Sequence, residues 1–226
     1  MVIMNVLAII GSPHGMKGNT GRLLEEVLAG VRENGGDVDL VSLTRLKVLP
    51  CIACDACHKV GTCAVDDDFE MIREKLLTCD AVILASPNYI FGVTAQMKAL
   101  FDRCGGLIHL MALEGTYGIA VETSGGGEDE DVLKYMERFI AVLGARVVGS
   151  IGSPVAGVRM FPNEEALFAR ARELGTDLCR SVQEKRSFPE QDAFHDAFKE
   201  RMRRLMLYKK DEWPYEFDVW RALGKF

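Results

Sequence analysis

Four of the chain's seven cysteines fall within thirteen residues: Cys51, Cys54, Cys57 and Cys63, spaced C-x2-C-x2-C-x5-C. Thiolates are the ligands of cuboidal iron–sulfur clusters, and a run of this spacing lets one short loop wrap one cluster. Zinc sites more often use two separated C-x2-C knuckles, which this loop lacks. A [4Fe–4S] cluster is the first reading; zinc and free thiols are the alternatives. His58, beside Cys57, reads as a solvated side chain rather than a ligand. Cys79, Cys104 and Cys179 stand singly in helical contexts, where cysteine serves as small apolar filler.

A second chemistry-bearing stretch is Gly11-Ser12-Pro13-His14-Gly15-Met16-Lys17-Gly18-Asn19-Thr20. It lies between an apolar strand pattern and an amphipathic helix pattern, where free amides and the helix dipole attract a phosphate. Ser12, Asn19 and Thr20 supply neutral donors, and the glycines let the backbone curl close. His14 reads equally as a phosphate contact and as a solvated loop residue. A triphosphate loop needs Gly-Lys-Ser/Thr at its end, but Gly18 is followed by Asn19, and G-x-G-x-x-G is missing. Neither C-x5-R nor an aspartate closing the third strand occurs, which excludes a low-molecular-weight tyrosine phosphatase and a response regulator.

Gly11-Ser12-Pro13 with Gly18-Asn19-Thr20 resembles the phosphate loop of the NADPH-dependent FMN reductase and iron–sulfur flavoprotein families. Ser86-Pro87-Asn88-Tyr89-Ile90-Phe91-Gly92, then Gln96-Met97-Lys98 and Phe101-Asp102-Arg103, is similar to their second flavin loop, and the compact cysteine motif is that of the iron–sulfur members. The resemblance implies FMN on the loops after the first, third and fourth strands. Ser12, Asn19 and Thr20, in one loop with His14 and Gly18, would hold the phosphate. Pro87, Asn88, Tyr89, Ile90, Phe91 and Gly92 would line the ring, and Thr123, Ser124, Gly125 and Gly126 would close its far side. A flat ring asks for an apolar wall with donors at its polar edge, although Tyr89 and Phe91 also suit ordinary core packing.

The activity so implied is an oxidoreductase moving electrons from a reduced carrier, ferredoxin or NAD(P)H, to an acceptor through FMN and the cluster. The alternatives are a cluster-free NAD(P)H-dependent FMN or quinone reductase and a non-enzymatic carrier. No catalytic acid or base stands out, since the chemistry belongs to the cofactors. Relatives assemble as homodimers or homotetramers, and the same is expected here.

The elements that must position these groups alternate. Strands are expected over 2–10, 37–43, 81–85, 115–122 and 146–151; helices begin at Asn19 or Thr20, then cover 68–78, 94–103, 131–143, 164–184 and 191–208. Asn19 or Thr20 should cap the first helix. Such a chain folds as an α/β, flavodoxin-like three-layer sandwich with parallel strand order 2-1-3-4-5, the right-handed crossover solution. The expected organisation is an FMN-binding domain over 1–186, with its cysteine-rich loop at 44–67, and a helical extension over 187–226. Trp213, Tyr215, Phe217, Trp220 and Phe226 make that tail too aromatic to stay unpacked; it should cover its own domain or serve assembly.

The 226 residues carry a net charge of −6, without the basic patch expected of a nucleic-acid or anionic-membrane binder. The opening apolar run stops at Gly11 without a basic flank or cleavage site, and no run reaches the ~20 residues that span a bilayer. A cytoplasmic setting is expected, with reduced cysteines.

Overall fold

The computed structural model describes residues 4–127 and 129–226. Strand β1 (Met4–Ile10) is buried at every position but Asn5, as a central parallel strand must be. Residues 2 and 3 of the expected first strand lie outside the described residues. Helix α1 (Asn19–Glu33) buries Leu23, Leu24, Val27, Leu28 and Val31 at helical spacing. It ends at Asn34 and Gly35 and feeds β2 (Gly36–Ser42). The cysteine-rich loop holds one short helix, α2 (Ala56–Val60), and leads to α3 (Phe69–Thr78) and β3 (Ala81–Pro87). After α4 (Ala95–Arg103) and α5 (Gly105–Leu110) come β4 (Tyr117–Ser124), α6 (Asp129–Val142) and β5 (Arg146–Pro154). The chain closes with α7 (Glu164–Glu184), α8 (Pro189–Lys209) and α9 (Pro214–Ala222).

The five strands are parallel in the order β2-β1-β3-β4-β5. Alternation along each strand separates two cores. Val6, Ala8, Ile10, Ile83 and Val121 face α1 and α7, while Leu7, Ile9, Val82, Leu84 and Ala120 face α3, α4 and α6. Three strands run further than their apolar patterns foretell. β3 continues through Ser86 and Pro87 because these pair with Glu122 and Thr123, which in turn pair with Gly152 and Ser153. The added length delivers Pro87, Thr123 and Ser124 to the carboxyl edge of the sheet.

The tail forms a third core of Met202, Met206 and Trp220 against Leu110, and the Trp220 indole donates to the His109 carbonyl at 3.1 Å. Much of its aromatic surface is thus spent within the chain, because α9 lies across α2 and α5. Among the described residues no helix is long and apolar enough to cross a membrane.

Helices α1 and α7 approach closely enough that only glycine fits between them. A Cβ on Gly175 would lie 2.1 Å from the Val27 carbonyl oxygen, and one on Gly30 2.1 Å from that of Arg172. Gly175→Ala should therefore destabilise the protein by about 1–3 kcal/mol, the usual scale of overpacking. Urea denaturation measures it; an unchanged midpoint would mean that the helices part at no cost.

Candidate functional site

The loops after β1, β3 and β4 are tied together by four hydroxyls. Thr94 caps α4, accepting from the Met97 amide, and its hydroxyl donates to the Gly11 carbonyl at 2.8 Å. The Ser86 hydroxyl accepts from the Thr94 amide at 3.1 Å. Thr20 and Thr123 join hydroxyl to hydroxyl at 2.6 Å, both buried. Ser12 is buried too, its oxygen accepting from the His14 amide at 3.3 Å.

Neither Asn19 nor Thr20 caps α1, contrary to the sequence expectation. The cap is Gly18, without a side-chain bond. Thr20 is committed to Thr123. Asn19 is committed to the loop after β5, accepting from the Arg159 amide at 2.6 Å and donating to the Gly157 carbonyl at 3.3 Å. The first amides of a fifteen-residue helix consequently have no side-chain acceptor, which suits them to an anion.

In the loop after β3, the Asn88 amide donates to the Thr123 carbonyl at 2.9 Å and that of Tyr89 to the Gly92 carbonyl at 2.8 Å. Ile90 and Phe91 have φ of 51° and 62° and are 91% and 71% exposed. A left-handed backbone costs non-glycine residues on the order of 1–3 kcal/mol, so this apolar tip is strained as well as wet. Pro87 and Asn88 are half-buried and Tyr89 is exposed, so Tyr89 and Phe91 are not core residues. Beyond the buried Thr123 and Ser124, Gly125 and Gly126 are open, and the Gly126 amide donates to the Ser124 hydroxyl at 3.2 Å.

Glu122, one residue before this edge, is missed by sequence reasoning because an acid at a strand end reads as solvated. It is fully buried and neither carboxyl oxygen has a hydrogen bond. Burial, then the charge of Asp129, raises its carboxyl to about 8.

The cysteine loop is closed at its neck by Arg103 on α4, whose side chain is 1% exposed. It pairs with Asp67 at 2.8 and 3.1 Å, donates to the Leu49 carbonyl at 3.0 Å, and stacks over Phe69. Inside that neck, Cys51, Cys54, Cys57 and Cys63 all line one cavity of ≈ 60 Å³, also bounded by Arg103. All four are free thiols, the first two exposed and the others half-buried. Ala53 and Asp55, at φ 52° and 59°, turn the chain between them. Among the described residues the one trio of possible metal-ligating groups converging within 4.8 Å is His58, His109 and Glu216.

His58 is not solvated, as the sequence suggests; its side chain is 12% exposed because α9 covers it. Its Nδ1 meets Glu216 Oε1 at 2.6 Å, and Trp213 stacks on the ring at 4.5 Å. Burial would raise the Glu216 carboxyl, but His109 and His58 outweigh it and hold it below the usual range. Cys79, Cys104 and Cys179 are buried filler, with burial pushing the first two thiols up to about 12.

Residues 4–157 match the model of the NADPH-dependent FMN reductase family. An iron–sulfur flavoprotein of Methanocaldococcus jannaschii is 34% identical over 190 residues, covering 79% of this chain and 97% of its own. Another, of Archaeoglobus fulgidus, is 32% identical over 80% of this chain and 82% of its own. Among solved structures, a flavone reductase superposes with a TM-score of 0.64 at 18% identity, over 80% of this chain and 63% of its own, a likeness of fold.

The buried acid yields a prediction. Between pH 4.5 and about 8 the folded chain keeps a proton on Glu122 that the unfolded chain releases, so this group's contribution falls as pH rises through that window. Glu122→Gln should flatten the stability profile there by up to about 1.4 kcal/mol per pH unit. Urea titrations at several pH values measure it; parallel profiles would show that the acid is not held neutral.

Proposed function

The chain belongs to the NADPH-dependent FMN reductase family, and from that membership we propose that it works as an iron–sulfur flavoprotein, an FMN-dependent oxidoreductase in which the four cysteines hold a [4Fe–4S] cluster. The observation that carries this reading is the meeting of all four cysteines on one cavity whose neck is closed by α4, the helix that also caps the loop after β3.

In this reading FMN supplies one- and two-electron chemistry and the cluster one-electron chemistry. The chain's own residues bind and orient. The bare backbone amides at the start of α1, those of Asn19 and Thr20 among them, receive the phosphate beside Ser12, His14 and Gly18. Pro87, Asn88, Tyr89, Ile90, Phe91 and Gly92 form the wall beside the ring, and Thr123, Ser124, Gly125 and Gly126 form its far side. The donor is a reduced carrier of the ferredoxin or NAD(P)H class, and no side chain is assigned to proton transfer.

Two measurements on anaerobically reconstituted protein test the proposal. Acid release of the flavin should yield FMN, and FAD would refute the mononucleotide site. The wild type should bind about four irons and give a paramagnetic signal when reduced, and Cys54→Ala should lose both. Stoichiometric zinc, or no metal, in the wild type would leave a cluster-free flavin reductase.

A further inference from the structure

The α8–α9 extension lies beyond the residues that match the family model, yet it reaches the cysteine loop. Its contact is a carboxylate that should not be buried without cause. Glu216 is fully buried, and an unpaired charge there would be costly. Each of its oxygens has one partner: Oε1 meets His58 Nδ1 at 2.6 Å and Oε2 meets His109 Nδ1 at 3.0 Å. His58 directly follows Cys57, and His109 lies in the last turn of α5.

The geometry is that of a clamp and not of a metal site. The two imidazoles stack, 4.9 Å apart and 26° from parallel, with Trp213 against them at 4.5 and 5.0 Å. Each ring's Nδ1 is already engaged by its own Glu216 oxygen, so the trio closes on itself by hydrogen bonds. Two oxygens of one carboxylate, one for each ring, satisfy both.

A second grip lies two residues before Cys63. Gly61, at φ +82°, ends α2 beneath Tyr215, so close that a Cβ would sit 2.4 Å from the ring. The extension therefore holds the loop next to Cys57 and next to Cys63. These are the two half-buried ligands of the set, while Cys51 and Cys54 remain exposed.

We propose that the C-terminal extension is a clamp that preorganises the cysteine loop for its cluster, with Glu216 as the positioning residue fixing Cys57 through His58. The function of the clamp rests on the cluster reading; its existence does not. A ligand loop held in its bound shape releases its metal slowly, and a loop left free samples open shapes in which iron escapes.

The test uses the full-length chain as wild type, Glu216→Gln and His109→Gln, the second loosening the clamp from α5 without altering the tail. FMN affinity equal to wild type certifies each variant as folded. In reconstituted protein, both variants should lose iron to a chelator about tenfold faster than wild type, the scale of one charge-assisted hydrogen bond. Release rates within about twofold of wild type would overturn the clamp's function. In metal-free protein, iodoacetamide should label Cys57 about tenfold faster in the variants while the exposed Cys51 is unchanged, as loss of the same bond predicts. Equal Cys57 labelling would overturn the clamp itself. A wild type that takes up no iron would remove the cluster reading and the clamp's role in iron retention, and the labelling would still decide whether the clamp exists.

Discussion

Arg103 and Asp67 form a buried ion pair on which the geometry of the cysteine loop depends. The guanidinium is 1% exposed and the carboxylate fully buried. Beyond each other they bind the two strands of the neck, Arg103 through the Leu49 carbonyl and Asp67 through the Leu49 and Phe69 amides. Removing one partner of such a pair costs about 3–5 kcal/mol, since the other is left charged in a dry place. Burial would raise the Asp67 carboxyl, but the hydrogen bonds from Arg103, Leu49 and Phe69 hold it below the usual range. This loop, with one short helix of its own, is thus anchored to α4.

Because Thr94 caps α4 and Arg103 ends it, one helix links the two halves of the proposed centre. Its cap binds the Gly11 carbonyl and, through Ser86, the loop after β3. Its last residue closes the neck around the four cysteines. A parallel sheet gathers its loops at the carboxyl edges of the strands, and there the strand order reverses between β1 and β3. The loops after β1, β3 and β4 meet by that topology, and α4 joins them to the cysteine loop at its far end.

Much of this was legible in the sequence because it depends on local signals. Doubly buried parallel strands leave unbroken apolar runs, and glycine-rich turns and C-x2-C spacing need only nearby residues. What escaped depends on distant partners. His58 looks solvated until Glu216, 158 positions later, is brought onto it. Glu122 looks like the wet end of a strand until β5 and α6 cover it. Asn19 and Thr20 have the chemistry of helix caps, yet loop 157–159 and Thr123 claim their side chains. The helix α9 hides in a stretch where Pro214 and crowded aromatics blur the helical period.

The central claim is that one chain carries two redox centres, a flavin on the sheet edge and a cluster in the cysteine loop. Counting electrons tests it most directly. In an anaerobic reductive titration followed optically, the reconstituted protein should take up about three electrons per chain, two for FMN and one for the cluster. An end point at about two electrons, with iron-free protein giving the same value, would contradict the account and leave the flavin alone.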